Sequence, residues 1–526
     1  MSGEPWIILG EYTDDWGNRV EVGLPLRDMR VHTSILGTTG SGKSTFSRNL
    51  ALQAFDLGAT TVIIEPHGDL ILDPKEGILA ALSPTALDRV VVVDLNSPRP
   101  PQINLATAGL SAGRSVAVAT AMRCIRVAEE ASWSGAVRMR EILEHALHLL
   151  LNVFDRRASM VLLQRFLTDV PFRDRVLAQA GDEVGESKSY WQRLSGKIEN
   201  ARGRSADDVL EVPLRRVGKF LRDDRFRRSL ALPALGRGLE IAPLMDAPEP
   251  KMILVPLQSA ELGEEAKRVF GTLFMQMVTN AFMARSSQAA EERRQTFVLI
   301  DEFADLAEGV VGELVKILLA QARKFGASVV LSTQSIYQLP ADVKLEVRSN
   351  TNIKVVLRTS GRDDAKEAVL NLASDRLSES DVMSIERFHG YARVMVHGSP
   401  QPPFYFKGLP PIRLQGRGNN RRRRLPARPD YPRELEELHR MVGYGEEDQA
   451  IARLVSMPDG EFRAMVKAEI KTAGFQADLL LADPGLEPDP VRRALRVSRL
   501  RVGLPWWFYE AQYRRLRYGE VGDRVA

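Results

Sequence analysis

The stretch SILGTTGSGKSTFSRNLALQAF, residues 34–55, decides how the chain is read. Its centre, GTTGSGKS at 37–44, satisfies G-x-x-x-x-G-K-[ST], a loop that cradles phosphates. Gly37, Gly40 and Gly42 carry no Cβ, so backbone N–H groups can turn toward a β-phosphate and approach it closely. Lys43 is expected to reach the β/γ oxygens, and the Ser44 hydroxyl to ligate Mg²⁺. The expected nucleotide contacts are Gly37, Thr38, Thr39, Gly40, Ser41, Gly42, Lys43, Ser44 and Thr45. SILG enters the loop as a short apolar strand. STFSRNLALQAF leaves it as an amphipathic helix, whose N-terminus favours an anion. A nucleoside triphosphate with Mg²⁺ is the ligand this string predicts.

Working outward, short β-branched runs bounded by turn residues read as buried parallel strands: TTVIIE (60–65), RVVVVDL (89–95), KMILVPL (251–257), TFVLID (296–301), SVVLSTQ (328–334) and IKVVLR (353–358). Helical patterns at 264–285 and 311–325 separate several of them. The predicted fold is α/β: a RecA-like P-loop NTPase core with a mainly parallel sheet. An all-helical domain is inserted in it, and a small helical domain follows. The expected division is a short N-terminal β segment at 1–30, an ATPase core at 31–107 and 246–400, and a helical insertion at 108–245. A Pro/Gly/Arg-rich linker or arm at 401–432 and a helical C-terminal domain at 433–526 complete it.

Composition bounds the rest. The chain has 526 residues, 72 Lys+Arg against 68 Asp+Glu, and a net charge of +4. That excess is too small to identify a polyanion-binding protein, so the location of the charge matters more. A single cysteine, Cys124, excludes an internal disulfide framework and fits a reducing cytosol. The N-terminus has no secretory pattern, and ILEHALHLLLNVF (142–154) is too short and polar to span a bilayer, so a cytoplasmic location is expected.

Three basic regions leave two readings open each. The arginines of LRRVGKFLRDDRFRRSL (214–230) form a solvated helix face or contact phosphates. Arg421 to Arg424 hold a phosphate backbone or keep an arm solvated. Near the end, Trp506, Trp507, Phe508 and Tyr509 alternate with arginines; they stack bases or, the favoured reading, form the core of a helical hairpin.

FVLIDEF (297–303) matches a strand ending in two acids. In P-loop enzymes such an acid as Asp301 orients Mg²⁺ through water, and a neighbour such as Glu302 polarises the attacking water. Gln334 closes another buried strand, where an amide could contact γ-phosphate and water. Arg323, at a helix end, is placed to reach a neighbouring subunit's nucleotide or simply to satisfy the helix dipole.

GTTGSGKS, IIEPHGDL (63–70), LIDEFADL (299–306) and ARKFGASVVLSTQSIYQLP (322–340) together resemble the HerA/FtsK superfamily of ring ATPases, in particular soluble relatives of TraG/TraD-type conjugative coupling proteins. The resemblance covers about 30–110 and 245–400. It implies homohexamers that thread double-stranded DNA through a central pore, using ATP hydrolysed between subunits. A nuclease, relaxase or secretion channel is then a possible partner. It marks Lys43 and Ser44 as phosphate and Mg²⁺ ligands, Asp301 as the Walker B acid, Glu302 as the water-activating base and Gln334 as the sensor. Arg323 is similar to the finger acting across the interface, and Arg358 is a second finger candidate. Glu65 stands where the family usually has Asp, which questions an Mg²⁺-shell role there. The transmembrane helices of membrane coupling proteins have no counterpart in this sequence, and the short stretch before the loop's strand leaves no room for the HerA-type barrel. The alternative function is a secretion or assembly ATPase with protein or nucleoprotein cargo.

Overall fold

The computed structural model describes residues 4–13, 16–128, 133, 136–200, 205–236, 238–258, 262–414, 429 and 431–518. The arginine run Arg421–Arg424 lies outside them. The described chain separates into two compact units: the first gathers residues within Met1–Val93, Ile241–Asn420 and Glu487–Ala494, and the second those within Asp94–Glu240, Arg421–Leu486 and Leu495–Ala526.

The first unit is built on an eleven-stranded sheet. Its strands are β1 (Trp6–Thr13), β2 (Arg19–Pro25), β3 (Thr33–Leu36), β4 (Thr60–Glu65), β5 (Val90–Val92), β6 (Met252–Pro256), β7 (Thr296–Ile300), β8 (Ala327–Thr333), β9 (Ile353–Val356), β10 (His389–Arg393) and β13 (Phe404–Gly408). A separate two-stranded ribbon pairs β11 (Met395–Val396) with β12 (Ser399–Pro400). The order across the large sheet is β2-β1-β13-β10-β9-β3-β8-β7-β4-β6-β5. From β9 to β5 neighbouring strands run parallel, and they coincide with the predicted β-branched runs. Side chains of β3, β4, β6, β7, β8 and β9 are buried throughout, which is why these segments read as continuous apolar runs and not as alternating ones.

From β10 to β2 the pairing turns antiparallel. The N-terminal hairpin β1–β2 docks on β13, with Gly10 opposite Gly408. A Cβ on Gly10 would stand 2.1 Å from the Lys407 carbonyl oxygen, so glycine is required at that crossing.

Register sets the site. Leu36 at the end of β3 lies opposite Thr333 of β8 and Val356 of β9. Ile300 of β7 pairs with Leu331 of β8 and with Ile64 of β4. The residues that follow these strand ends therefore emerge together at one edge of the sheet: Gly37, Gln334, Arg358, Asp301 and Glu65.

The second unit is helical in its described parts. The insertion contributes, among others, the helices Arg114–Val127, Val137–Phe154, Met160–Thr168 and Asp224–Leu230. Segments of the expected insertion and of the expected C-terminal domain both fall in this unit. Arg99 pairs with Glu469 at 2.8 Å, Arg227 with Glu510 at 3.1 Å, and the Tyr509 hydroxyl donates to the Pro100 carbonyl at 3.1 Å.

Both open basic regions within the described chain resolve toward structure. Trp507, Phe508 and Tyr509 are buried, and the Trp507 and Phe508 rings stack at 4.3 Å, so they are core and not a base-stacking platform. In the 214–230 segment, Arg225 pairs with Asp223, Arg227 with Asp224 and Glu510, Arg228 with Asp224, and Arg216 is buried. Arg227 thus reaches a second helix through Glu510, the other pairs are local, and Arg215 and Arg222 stay exposed. No helix among the described residues is long and apolar enough to cross a membrane.

Candidate nucleotide and hydrolysis site

The loop 37–42 runs from the end of β3 to the helix Lys43–Asp56. Gly40 and Gly42 have φ of 76° and 103°, the left-handed region that glycine adopts without strain. Backbone bonds fix the loop: Gly37 N–H donates to the Thr333 carbonyl at 3.2 Å, and Thr38 N–H to the Arg358 carbonyl at 2.9 Å. β3 is thus bracketed by the strand ends that flank it.

Three side chains converge on the loop. Lys43 is buried, with its ammonium 2.6 Å from Glu302 Oε1 and 3.6 Å from Asp301 Oδ1. The Gln334 amide donates to Glu302 Oε1 at 2.8 Å, and the Thr39 hydroxyl donates to Gln334 Oε1 at 2.8 Å. Glu302 itself has φ +43°, a conformation uncommon for a residue with a side chain, at the turn where β7 ends. The result is a continuous chain of contacts from loop hydroxyl through amide and carboxylate to lysine. A cavity of about 180 Å³ opens here, lined by the loop and by Ser44, Thr45, Glu302 and Gln334.

A magnesium ion fits the donor set. Ser44 borders the cavity, and Asp301 Oδ1 is buried without a hydrogen-bond partner. Among the described residues there is no group of three or more His, Cys, Asp or Glu side chains that would hold a metal alone. Such an ion would need nucleotide oxygens and water to complete its shell, as Mg²⁺ commonly does.

Glu65, at the end of β4, is 2% exposed, and its Oε1 accepts the His67 N–H at 2.8 Å. Burial, with the negative charge of Asp301 adding to it, pushes its carboxyl up to about 8. Its Oε2, like Asp301 Oδ1, is buried without a hydrogen-bond partner.

The two arginine candidates stand apart. Arg358 follows β9, and its carbonyl also accepts the Thr38 hydroxyl at 3.1 Å, so its backbone adjoins the loop of its own chain. Arg323 is exposed and precedes β8, at the opposite end of the strand from Gln334. Seven strand residues put the two roughly 20 Å apart. The fold keeps Arg323 away from its own loop.

Sequence reasoning missed Arg387 and Phe388, which complete the cavity wall. No phosphate-loop motif includes them. The available signal was positional: they immediately precede β10, the antiparallel neighbour of β9.

Fold and site define a P-loop ATPase. Residues 7–73 match the family described as helicase HerA, central domain, and residues 245–396 match the type IV secretion-system coupling protein DNA-binding domain. The resemblance drawn from the motifs is borne out on those two stretches. Among solved structures, the chain is similar to the unbound bacterial conjugative coupling protein TrwBdeltaN70, with TM-score 0.51 and 17% identity over 76% of this chain and 89% of that one. It is equally similar to the plasmid coupling protein TrwB in complex with ADP and Mg²⁺, with TM-score 0.51 and 18% identity over 76% and 89%. A looser likeness is to VirB4 of Thermoanaerobacter pseudethanolicus, with TM-score 0.49 and 15% identity over 78% and 98%. No curated protein matches the chain significantly.

Proposed function

We propose that the chain is an ATP-driven translocase of double-stranded DNA, working as a homohexameric ring in DNA transfer, conjugation or processing. The observation that carries the ATPase half is the joining of Lys43, Glu302, Gln334 and Thr39 at one phosphate loop. The DNA half is supported by the match of residues 245–396 to a coupling-protein DNA-binding domain.

The roles follow from the contacts. As the side chains stand, Lys43 neutralises Glu302. A triphosphate competes for that ammonium and frees Glu302, still oriented by Gln334, to take a proton from water. Gln334, bonded to both Thr39 and Glu302, links loop position to base position. Ser44 and Asp301 would hold Mg²⁺, which would supply charge neutralisation to the phosphates. Arg323, too far from its own loop, would serve the site of the next subunit, while Arg358 braces the loop from within.

Affinity for linear duplex DNA at 50 and 200 mM salt tests the cargo. A motor touching six to ten phosphates loses about 10³–10⁵ in affinity across that range. Weak binding that ignores salt would contradict a DNA cargo and favour protein or nucleoprotein.

A further inference from the structure

On the far side of β3 from the two acids, the cavity ends in a wall with unusual backbone geometry. Glu302 and Gln334 come from β7 and β8, on one side of the phosphate-loop strand. Arg387 and Phe388 come from the turn before β10, beyond β9 on the other side. On the nucleotide-site reading above, the γ-phosphate lies beside Glu302 and Gln334, and the nucleoside is assigned to the opposite side of β3.

Phe388 has φ +64°, the left-handed region, which for a bulky aromatic side chain is a genuine outlier. The surroundings enforce it. Phe388 N–H donates to the Ser41 carbonyl of the phosphate loop at 2.9 Å, and its carbonyl accepts Gly408 N–H of β13 at 2.7 Å. Its ring lies where a Cβ on Gly42 would come within 2.6 Å. Phe388 is therefore wedged against the loop by the sheet, and Gly42 is needed for this approach as well as for its own φ.

Arg387 rides on that wedge. Its guanidinium carbon lies 4.5 Å from the Phe388 ring centroid, and no carboxylate pairs with it among the described residues. The side chain is exposed and borders the cavity.

Resting on the nucleotide-site reading above, we propose that Arg387 and Phe388 form the nucleoside-side wall of this site: Phe388 seats the phosphate loop, and Arg387 stacks its free face on the base. A guanidinium plane offers attraction to any aromatic face and reads no donor–acceptor pattern. The wall should therefore hold adenine and guanine nucleotides alike.

Direct titrations of ADP, GDP and inorganic tripolyphosphate against the full chain, Arg387→Ala, Arg387→Lys and Lys43→Ala test this. Arg387→Ala should weaken ADP and GDP by about tenfold, the loss of one stacked cation, and leave tripolyphosphate affinity unchanged. Arg387→Lys, which keeps the charge and loses the plane, should not restore ADP binding. Equal weakening of tripolyphosphate would overturn the nucleoside assignment and make Arg387 a phosphate contact. Unaltered ADP binding in Arg387→Ala would overturn the proposal outright. Lys43→Ala isolates the underlying reading: if it binds all three ligands like the parent chain, the phosphate loop itself is misread. Arg387 is exposed, so melting curves of its variants should match the parent and separate lost contact from lost fold.

Discussion

At the residue scale, two acids of the site share one lysine and a third stands apart from it. Asp301 and Glu302 share Lys43, while Glu65, one strand away, is buried without a cation and is held up to about 8. Glu302→Gln keeps the shape and the Gln334 contact but cannot accept a proton. Single-turnover hydrolysis should fall by about 10²–10⁴ while nucleotide affinity holds; retained hydrolysis would remove Glu302 as the base. Arg323→Ala should cost about 10³–10⁵ in turnover with binding intact, because its side chain never meets its own loop. An active Arg323→Ala chain would end the cross-subunit role.

The candidate site was largely legible in sequence because phosphate chemistry demands particular residues at particular spacings. Lys43, Asp301, Glu302 and Gln334 announce themselves by glycines and by acids after an apolar run. Arg387 and Phe388 do not, since nothing local distinguishes ERFHG from any other turn before a strand. Their role depends on the β10–β9–β3 order, which spacing does not encode.

At the element scale, the same contrast holds. Parallel strands were readable because burial on both faces leaves only apolar β-branched residues, as in TTVIIE and ASVVLST. β10, HGYAR, is interrupted by polar and small residues and sits where the sheet turns antiparallel, so its pattern carries little signal. β9 holds one exception to the apolar rule. Lys354 is buried, and its amine donates to the Val347 and Arg348 carbonyls at 3.2 and 3.1 Å and to the Thr351 hydroxyl at 2.6 Å. It closes the end of the helix Ala341–Asn350. Burial, reinforced by the positive charges of Arg348 and Arg393, pushes its ammonium down to about 7.

The unfolded chain keeps that proton up to about pH 10.4. Between the two values the unfolded state binds a proton that the folded state lacks. Stability from this group rises with pH across that window and is lost as pH falls toward 7. Lys354→Met should flatten the rise of Tm between pH 7 and 10. An unchanged slope would show that Lys354 titrates normally.

At the scale of the whole molecule, sequence placed the helical segments but not their partnership. Arginine-rich amphipathic stretches advertise a polar face without saying what meets it. Here Arg99, Arg227 and Arg228 meet carboxylates within the second unit, so charge that read as a possible DNA surface is spent on packing. Residues 245–396, which match a coupling-protein DNA-binding domain, are the segment to which we assign a DNA contact.

The central claim is that hydrolysis at this loop is coupled to DNA. Steady-state ATP hydrolysis without DNA, with linear duplex and with single strands, beside Lys43→Ala, tests it most directly. Strong stimulation by duplex is expected, and none in Lys43→Ala. Hydrolysis by the parent chain that ignores DNA at low salt would contradict it.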